Sequence, residues 1–167
     1  MKKIKVLILI IVVVLLILIG LNSITNLELK TETIIDAPKE KVWEVLTDTQ
    51  NYPNWNPFII SVEGEMKQGS KITNVMVNNK KETVFTPIIS MYKENEALEW
   101  LGSGLGGMFK GRHYFKLEEI DNDKTRLLHG ETFSGLLSGL IMQMIGEDTQ
   151  ANFENMNSAL KGVCEKE

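Results

Sequence analysis

The sequence predicts an α+β domain, in which an antiparallel sheet is followed by a long C-terminal helix and the whole is preceded by a transmembrane helix. Between residues 27 and 133 most segments alternate apolar and polar residues, which is the period of half-buried strands. From Leu136 onward the apolar residues are spaced by 3.6, the period of a helix. Ahead of both patterns lies an uncharged run, Val6 to Leu21.

The N-terminal run is predicted to be an uncleaved membrane anchor that, with a short joint, occupies residues 1–25. If Ile4 and Ile24 count as its fringe, the run approaches the roughly 17 to 25 residues that cross a bilayer as a helix. A cleavable signal peptide would have a shorter apolar stretch and a small-residue cleavage site, which Gly20-Leu21-Asn22-Ser23 resembles poorly. A buried core helix is the other alternative, but the run has no polar face.

Charge predicts the orientation of this anchor. Lys2, Lys3 and Lys5 precede the run, and positively charged flanks stay in the cytoplasm. The sequence therefore predicts a single-pass membrane protein with a cytoplasmic N-terminus and a domain, residues 26–167, outside the cytoplasm.

The composition of that domain excludes some functions. The chain has 18 basic residues, three of which precede the anchor, against 22 acidic ones. Nucleic-acid binding is not expected, because phosphate neutralisation needs clustered Lys and Arg. Cys164 is the only cysteine, so an internal disulfide is impossible.

The first elements of the domain are a strand, a helix and an aromatic turn. Leu27 to Ile35 alternates with period two, and Pro38 suits the first turn of the helix that follows. The inward face of this helix is predicted to be Val42, Trp43, Val45 and Leu46. Tyr52 to Pro57 contains two prolines and two asparagines, which permit only a short helical turn or a tight loop.

An antiparallel meander and a helix complete the domain. The predicted strands are Ile59 to Glu65, Lys71 to Val77, Glu82 to Tyr92, Ala97 to Leu101, Met108 to Ile120 and Thr125 to Phe133. Turn signals such as Gln68-Gly69, Asn78-Asn79, Asn95-Glu96 and Asp121-Asn122-Asp123 separate them. The inward positions of the last helix are predicted to be Leu137, Leu140, Ile141, Met144, Phe153, Met156, Leu160 and Val163. Gly146 either kinks this helix or divides it.

The order of these elements resembles the helix-grip fold of the START and birch-pollen-allergen (SRPBCC) superfamily, and within it the polyketide-cyclase and coenzyme-Q-binding-like branch. The resemblance rests on four stretches and covers roughly Leu29 to Val163. They are the opening from Ile35 to Asp48, the turn Tyr52-Pro53-x-Trp55-Asn56-Pro57-Phe58, Gly111-x-His113-x-Phe115-x-Leu117, and Thr125-x-Leu127-x-His129-x-Glu131-x-Phe133-x-Gly135.

The resemblance implies a curved antiparallel sheet wrapped around the last helix. It also implies an elongated apolar cavity, closed by the short helix and neighbouring loops. Members of the superfamily bind or carry lipids, sterols and isoprenoid quinones, and a few are cyclases. The fold by itself therefore does not decide between binding and catalysis.

Three ionisable residues are candidates for chemistry in such a cavity. His129 and Glu131 share one face of the last strand with Leu127 and Phe133, and these apolar neighbours indicate that the face points inward. His113 lies in a similar row on the previous strand. A buried carboxyl group needs a partner or a raised pKa, so the three could orient a carbonyl or hydroxyl group or act as acid and base.

A purely structural role is the alternative for these three residues. Glu131 would then pair with Arg112, Arg126 or a backbone amide, and the histidines would form hydrogen bonds near the cavity rim. A metal site is not expected, because the sequence has no metal-ligand spacing. No cofactor is expected either.

Gly102 to Gly107 matches the pattern G-x-G-x-x-G. A dinucleotide-binding loop opens a helix, whereas this one leads into a strand. The sequence therefore predicts a glycine-rich hairpin at the cavity mouth, able to gate access.

Other residues are expected to line the cavity with the ionisable ones. Aromatic residues beside the turns are candidates, although Trp43 is expected in the core, and methionines suit an adaptable apolar pocket. The complete set of predicted lining residues is Trp55, Asn56, Phe58, Trp100, His113, Phe115, His129, Glu131, Phe133 and Met144.

The leading functional hypothesis is a membrane-tethered, non-enzymatic domain that binds a hydrophobic small molecule, lipid-like or polycyclic. The rival is a cyclase- or dehydratase-like enzyme that uses His129 and Glu131 with help from His113. A third possibility is a structural interaction module, which would require a cavity filled by side chains.

Overall fold

The computed structural model describes residues 2–24, 27–78 and 80–166. Two predicted features extend beyond the described residues. These are residues 25 and 26, where the predicted joint meets the predicted domain, and Asn79 of the turn predicted at Asn78-Asn79.

The described residues form helices and antiparallel strands in the predicted order, which confirms the α+β fold with a long C-terminal helix. In chain order the elements are α1 (Lys2–Ile24), β1 (Glu28–Ile35), α2 (Lys39–Thr47), α3 (Tyr52–Trp55), β2 (Ile59–Glu63), β3 (Thr73–Asn78), β4 (Lys81–Phe85), β5 (Ile88–Lys93), β6 (Ala97–Gly104), β7 (Phe109–Asp121), β8 (Lys124–Ser134) and α4 (Ser138–Cys164). Short 3₁₀ turns at Thr49–Asn51 and Leu105–Gly107 precede α3 and β7.

The strands form two sheets, where the sequence suggested a single one. Five strands pair in the order β1-β8-β7-β6-β5, and three pair in the order β2-β3-β4. The predicted strand Glu82 to Tyr92 divides at Thr86-Pro87 into β4 and β5, because proline has no N–H to donate to a ladder. The segment before β3 joins the two sheets, since the Ile89 N–H donates to the Ser70 carbonyl at 2.9 Å.

Strand register places the polar candidates side by side on the larger sheet. His113 on β7 lies opposite Glu131 on β8, and Phe115 lies opposite His129. On the other side of β8, Thr31 of β1 lies opposite His129. Because side chains alternate across a strand, these residues share the face that the last helix covers.

The last helix covers this face with its C-terminal half. Its buried positions include Phe153, Met156, Asn157 and Leu160, whose spacing of three to four residues is that of one helix face. Burial of each large apolar side chain contributes about 1.5–3 kcal/mol. Gly146 lies within the uninterrupted helix and does not divide it.

The predicted membrane anchor, with its cytoplasmic N-terminus and outward-facing domain, needs correction. A bilayer core requires about 20 predominantly apolar helical residues. Across the residues that the structure describes, no helix combines the length and the apolarity needed to cross a membrane.

Candidate functional site

A cavity of about 230 Å³ lies between the two sheets and α4. Its wall is mostly apolar, and both sheets and the helix contribute to it. The lining residues are Phe58, Asn74, Met76, Asn78, Thr83, Phe85, Pro87, Trp100, Gly102, Phe109, Gly111, His113, Glu131, Phe133, Ile145 and Thr149. Two ionisable side chains, His113 and Glu131, therefore meet an otherwise uncharged surface.

Gly111 on β7 has no side chain and so makes room for the carboxyl group of Glu131. A Cβ placed on Gly111 would lie 1.9 Å from Oε1 of Glu131, which is far inside van der Waals contact. The equivalent atom on Gly102, the register partner of Gly111 on β6, would meet Phe85 at an ordinary 3.6 Å. The glycine at position 111 is therefore needed for the observed position of the carboxyl group.

Aromatic rings enclose both histidines. The His113 ring stacks on Trp100 with 4.7 Å between ring centroids. His129 lies between Phe115 at 4.3 Å and Phe153 at 4.2 Å between ring centroids, and each phenyl ring is inclined to the imidazole by 29°. These contacts exclude water from the two imidazoles, and His129 is fully buried.

The histidines belong to a continuous series of polar contacts through the core. His113 Nδ1 is 3.6 Å from Oε2 of Glu131, and His113 Nε2 is 3.0 Å from Nε2 of His129. His129 Nδ1 is 2.7 Å from Oδ1 of Asn157. The Asn157 Nδ2 group donates to Oγ1 of Thr31 at 2.8 Å, and the Thr31 hydroxyl donates to the carbonyl of His129 at 2.9 Å.

Burial shifts the pKa of each ionisable group in this series. Desolvation lowers the pKa of His113 to about 3. The pKa of His129 falls well below its usual value, first through desolvation and then through the neighbouring His113. Desolvation raises the pKa of Glu131 to about 8. All three groups are therefore uncharged near neutral pH.

The arginines suggested as partners of Glu131 pair elsewhere. Arg112 Nη1 contacts Glu99 at 3.0 Å, and Arg126 contacts Glu32 at 3.1 Å and Glu118 at 3.2 Å. Among the described residues, the ionisable contact recorded for Glu131 is His113. Within the part of the chain that the structure describes, the carboxyl group therefore has no cation to hold it ionised.

The structure brings half of the predicted lining residues to the cavity, namely Phe58, Trp100, His113, Glu131 and Phe133. The other five predicted lining residues, Trp55, Asn56, Phe115, His129 and Met144, do not line the cavity. Trp55 packs edge-on against Tyr52, Asn56 accepts the N–H groups of Phe58 and Ile59, Phe115 and His129 lie behind His113, and Met144 is 74% exposed.

Several cavity and core residues were missed in the sequence. Asn74 and Asn78 were missed, although they alternate along β3 with Met76, one of the methionines that suited an apolar pocket, and this period-two row was a usable signal. Asn74 is buried and its Oδ1 has no hydrogen-bond partner among the described residues, which is unusual for a buried amide. Asn157 also left a signal, because it is an amide within the apolar stripe of α4. Thr31 left none, since its role depends on the pairing of β1 with β8.

The glycine-rich segment forms the β6–β7 hairpin, as predicted, with Leu105, Gly106 and Gly107 at positive φ. Gly102 at the start of this segment and Phe109 just after it line the cavity. In the described part of the chain, no group of three or more His, Cys, Asp and Glu residues could hold a metal ion.

Comparisons with known proteins agree on the fold. A family model described as polyketide cyclase / dehydrase and lipid transport matches residues 27–165. The structure is similar to the ZhuI aromatase/cyclase from Streptomyces sp. R1128, with a TM-score of 0.68, 16% identity, and coverage of 83% of this chain and 93% of that one. It is also similar to a START superfamily protein from Mycobacterium smegmatis, with a TM-score of 0.66, 18% identity, and coverage of 83% and 97%. No curated protein matches the chain in sequence. At these identities the structural likeness defines the fold alone.

Proposed function

Because the chain belongs to the polyketide cyclase/dehydrase and lipid transport family, we propose that it binds a small apolar molecule in the cavity between the two sheets and α4. The observation that carries this proposal is the cavity itself, whose wall is apolar apart from a few polar groups. Ligand sites commonly have this composition, with a small number of polar groups that fix orientation.

The volume of the cavity limits the size of the ligand. An apolar cavity of about 150 Å³ is enough for benzene, so 230 Å³ suits a compound of one or two rings or a short acyl chain. This range is narrower than the lipid-like and polycyclic ligands that the sequence suggested. A purely structural module is disfavoured, because its centre would be filled by side chains.

Titration of the purified full-length chain with 2-ethylnaphthalene tests the proposal. We expect saturable binding of one molecule per chain and a higher melting temperature, because a ligand that binds only the native state stabilises it. Thr149→Phe fills the cavity from α4 and should abolish binding. Ser158→Phe, at an exposed position of the same helix, is the matched control. Equal binding by both variants, or none by the wild type, would contradict the proposal.

A second candidate function is acid–base catalysis on the bound molecule. The observation that favours it is the position of Glu131 beside one nitrogen of the His113 imidazole, whose other nitrogen contacts His129. Glu131 would be the general acid, and His113, oriented by His129, would be the base. His129 does not line the cavity, so it would act through His113 as a positioning residue. One of the structural neighbours is an aromatase/cyclase, and such reactions involve proton transfer at carbon.

Exchange of the methyl hydrogens of 2-acetonaphthone in deuterated water tests this second function. Catalysis would accelerate deuterium incorporation by the wild-type protein, and Glu131→Gln would remove the acceleration while leaving binding intact. Exchange at the buffer rate despite saturation of the cavity would exclude proton abstraction from this class of ketone.

A further inference from the structure

The hydrogen bonds behind the cavity determine where each proton lies. The Thr31 hydroxyl donates to the carbonyl of His129, so its oxygen accepts from the Asn157 Nδ2 group. The Oδ1 atom of Asn157 is then an acceptor, and the His129 Nδ1 that it contacts at 2.7 Å must carry a hydrogen. His129 is thereby held in one tautomer.

This tautomer determines the next one. A neutral His129 that is protonated at Nδ1 has a bare Nε2 atom, so the Nε2 of His113 at 3.0 Å must be the donor. The Nδ1 atom of His113, which faces Glu131, is consequently an acceptor. His113 has no hydrogen to offer to a ligand or to the carboxyl group.

The remaining ionisable hydrogen belongs to Glu131. Its carboxyl oxygen is 3.6 Å from His113 Nδ1, which is too long for a hydrogen bond, so the two do not form a tight ion pair. The neighbouring strand β1 presents Leu29 opposite Glu131, while β7 presents Gly111 and His113. From α4, Ile145 and Thr149 reach the cavity. The groups facing Glu131 therefore supply an acceptor but no positive charge.

We propose that Glu131 serves the cavity as a neutral hydrogen-bond donor, and that the cavity selects uncharged ligands carrying a carbonyl oxygen over their carboxylate and hydrocarbon counterparts. The raised pKa of this residue agrees with the geometry. A carbonyl oxygen would accept the carboxyl hydrogen in place of the distant His113 Nδ1. A carboxylate ligand would bring an uncompensated charge into an apolar site, which is strongly unfavourable. This inference rests on the proposed function and names the ligand class.

Three probes of nearly the same shape test the selectivity of the full-length chain. They are 2-acetonaphthone, 2-ethylnaphthalene and 2-naphthoate, each titrated by calorimetry at pH 6.5. We expect the ketone to bind about tenfold more tightly than the hydrocarbon, as one buried hydrogen bond permits. We expect the carboxylate to bind at least about tenfold more weakly than the ketone. Equal affinities for ketone and hydrocarbon, or tighter binding of the carboxylate, would overturn the proposal.

Two variants and a change of pH connect this selectivity to the hydrogen on Glu131. At pH 9.5 the ionised carboxylate should repel the carbonyl oxygen, and the preference for the ketone should disappear. Glu131→Gln retains an N–H donor that does not titrate, so it should keep the preference at both pH values. Glu131→Leu should lose it at both. A wild-type preference that survives at pH 9.5 would contradict the assigned role.

The same titrations separate this inference from the proposed function. If 2-ethylnaphthalene binds and the ketone gains nothing, the cavity binds ligands but Glu131 does not select them. If none of the three probes binds, the proposed function fails and the selectivity fails with it.

Discussion

His113 and His129 face each other through their Nε2 atoms at 3.0 Å. A single hydrogen lies between these atoms, because two N–H groups would repel and two lone pairs would leave both nitrogens unsatisfied. The chain has two histidines in all, and the structure places them in contact. Their protonation states are therefore accessible to measurement without ambiguity of assignment.

Nitrogen NMR should detect the two tautomers directly. We expect His129 to carry its hydrogen on Nδ1 and His113 on Nε2, with both rings neutral in the native protein at pH 6, because burial lowers both pKa values. In urea both rings should titrate near 6.5, the value of exposed histidine. The same tautomer at both positions, or an imidazolium signal in the native protein at pH 6, would contradict the proton positions assigned above.

Stability should pass through a maximum near pH 6.5. Below that pH the unfolded histidines take up protons that the folded ones exclude, so the free energy of unfolding falls as the pH decreases. Above it the folded Glu131, with its pKa raised to about 8, keeps a proton that the unfolded side chain has released, so the free energy of unfolding falls as the pH increases toward 8. Over each pH unit in which the folded and unfolded states differ by one bound proton, the free energy of unfolding changes by about 1.4 kcal/mol.

Thermal melts from pH 4 to pH 9 measure this profile. Glu131→Gln should remove the decline between pH 6.5 and 8, because the amide does not titrate. Glu63→Gln, at an exposed position, should leave the profile unchanged. A decline of the same slope in wild type and Glu131→Gln would show that another group causes it.

Asn157→Leu should lower the free energy of unfolding by about 1–3 kcal/mol relative to a matched variant. The substitution leaves the Nδ1–H of His129 buried without an acceptor, and that loss exceeds the value of an ordinary hydrogen bond. Asn155→Leu makes the same replacement at an exposed position two residues away, so it carries the same gain in helix propensity. Urea denaturation of both variants measures the difference, and equal midpoints would argue against a structural role for the Asn157 amide.

Gly111→Ala should displace the carboxyl group of Glu131 while leaving the fold intact, because the clashing atom is the end of a flexible side chain. We expect a loss of the preference for 2-acetonaphthone over 2-ethylnaphthalene and a loss of stability of at most about 3 kcal/mol, the upper end for an added methyl group in a packed site. Gly102→Ala, on the paired strand, should change neither. In a Glu131→Ala background, Gly111→Ala should lose its effect on binding of the ketone, and an unchanged effect there would show that the alanine acts on something other than Glu131.

The strands that carry the site were predictable, and the interactions that give it chemistry were not. Period two alone placed His113, His129 and Glu131 on inward faces, because alternation along a strand is a local property. Asn157 and Thr31 are 126 positions apart in the chain, and their hydrogen bond depends on the packing of α4 against β1. No local pattern reports such packing.

Local sequence patterns also gave a wrong prediction for the strand that divides at Pro87 and for the side of α4 that faces the cavity. Pro87 divides the stretch from Glu82 to Tyr92, whose composition is typical of a single strand. Only the strand pairing shows that its two halves, β4 and β5, belong to different sheets. On α4 the cavity is reached by Ile145 and Thr149, whereas Met144 was predicted. A shift of one residue rotates a helical position by about 100°, so an apolar helix end does not reveal which side faces the cavity.

The break at Thr86-Pro87 separates two tasks that could have shared one sheet. Glu131 and the two histidines belong to β7 and β8 of the larger sheet. The opposite wall of the cavity is formed on β3 and β4 by Asn74, Met76, Thr83 and Phe85. Substitutions on the smaller sheet should therefore change the size and shape of the proposed ligand without disturbing the residues proposed to bind its oxygen. A protein engineer could therefore substitute two separate sets of residues, one to change the shape of the ligand and the other to change the functional group that is recognised.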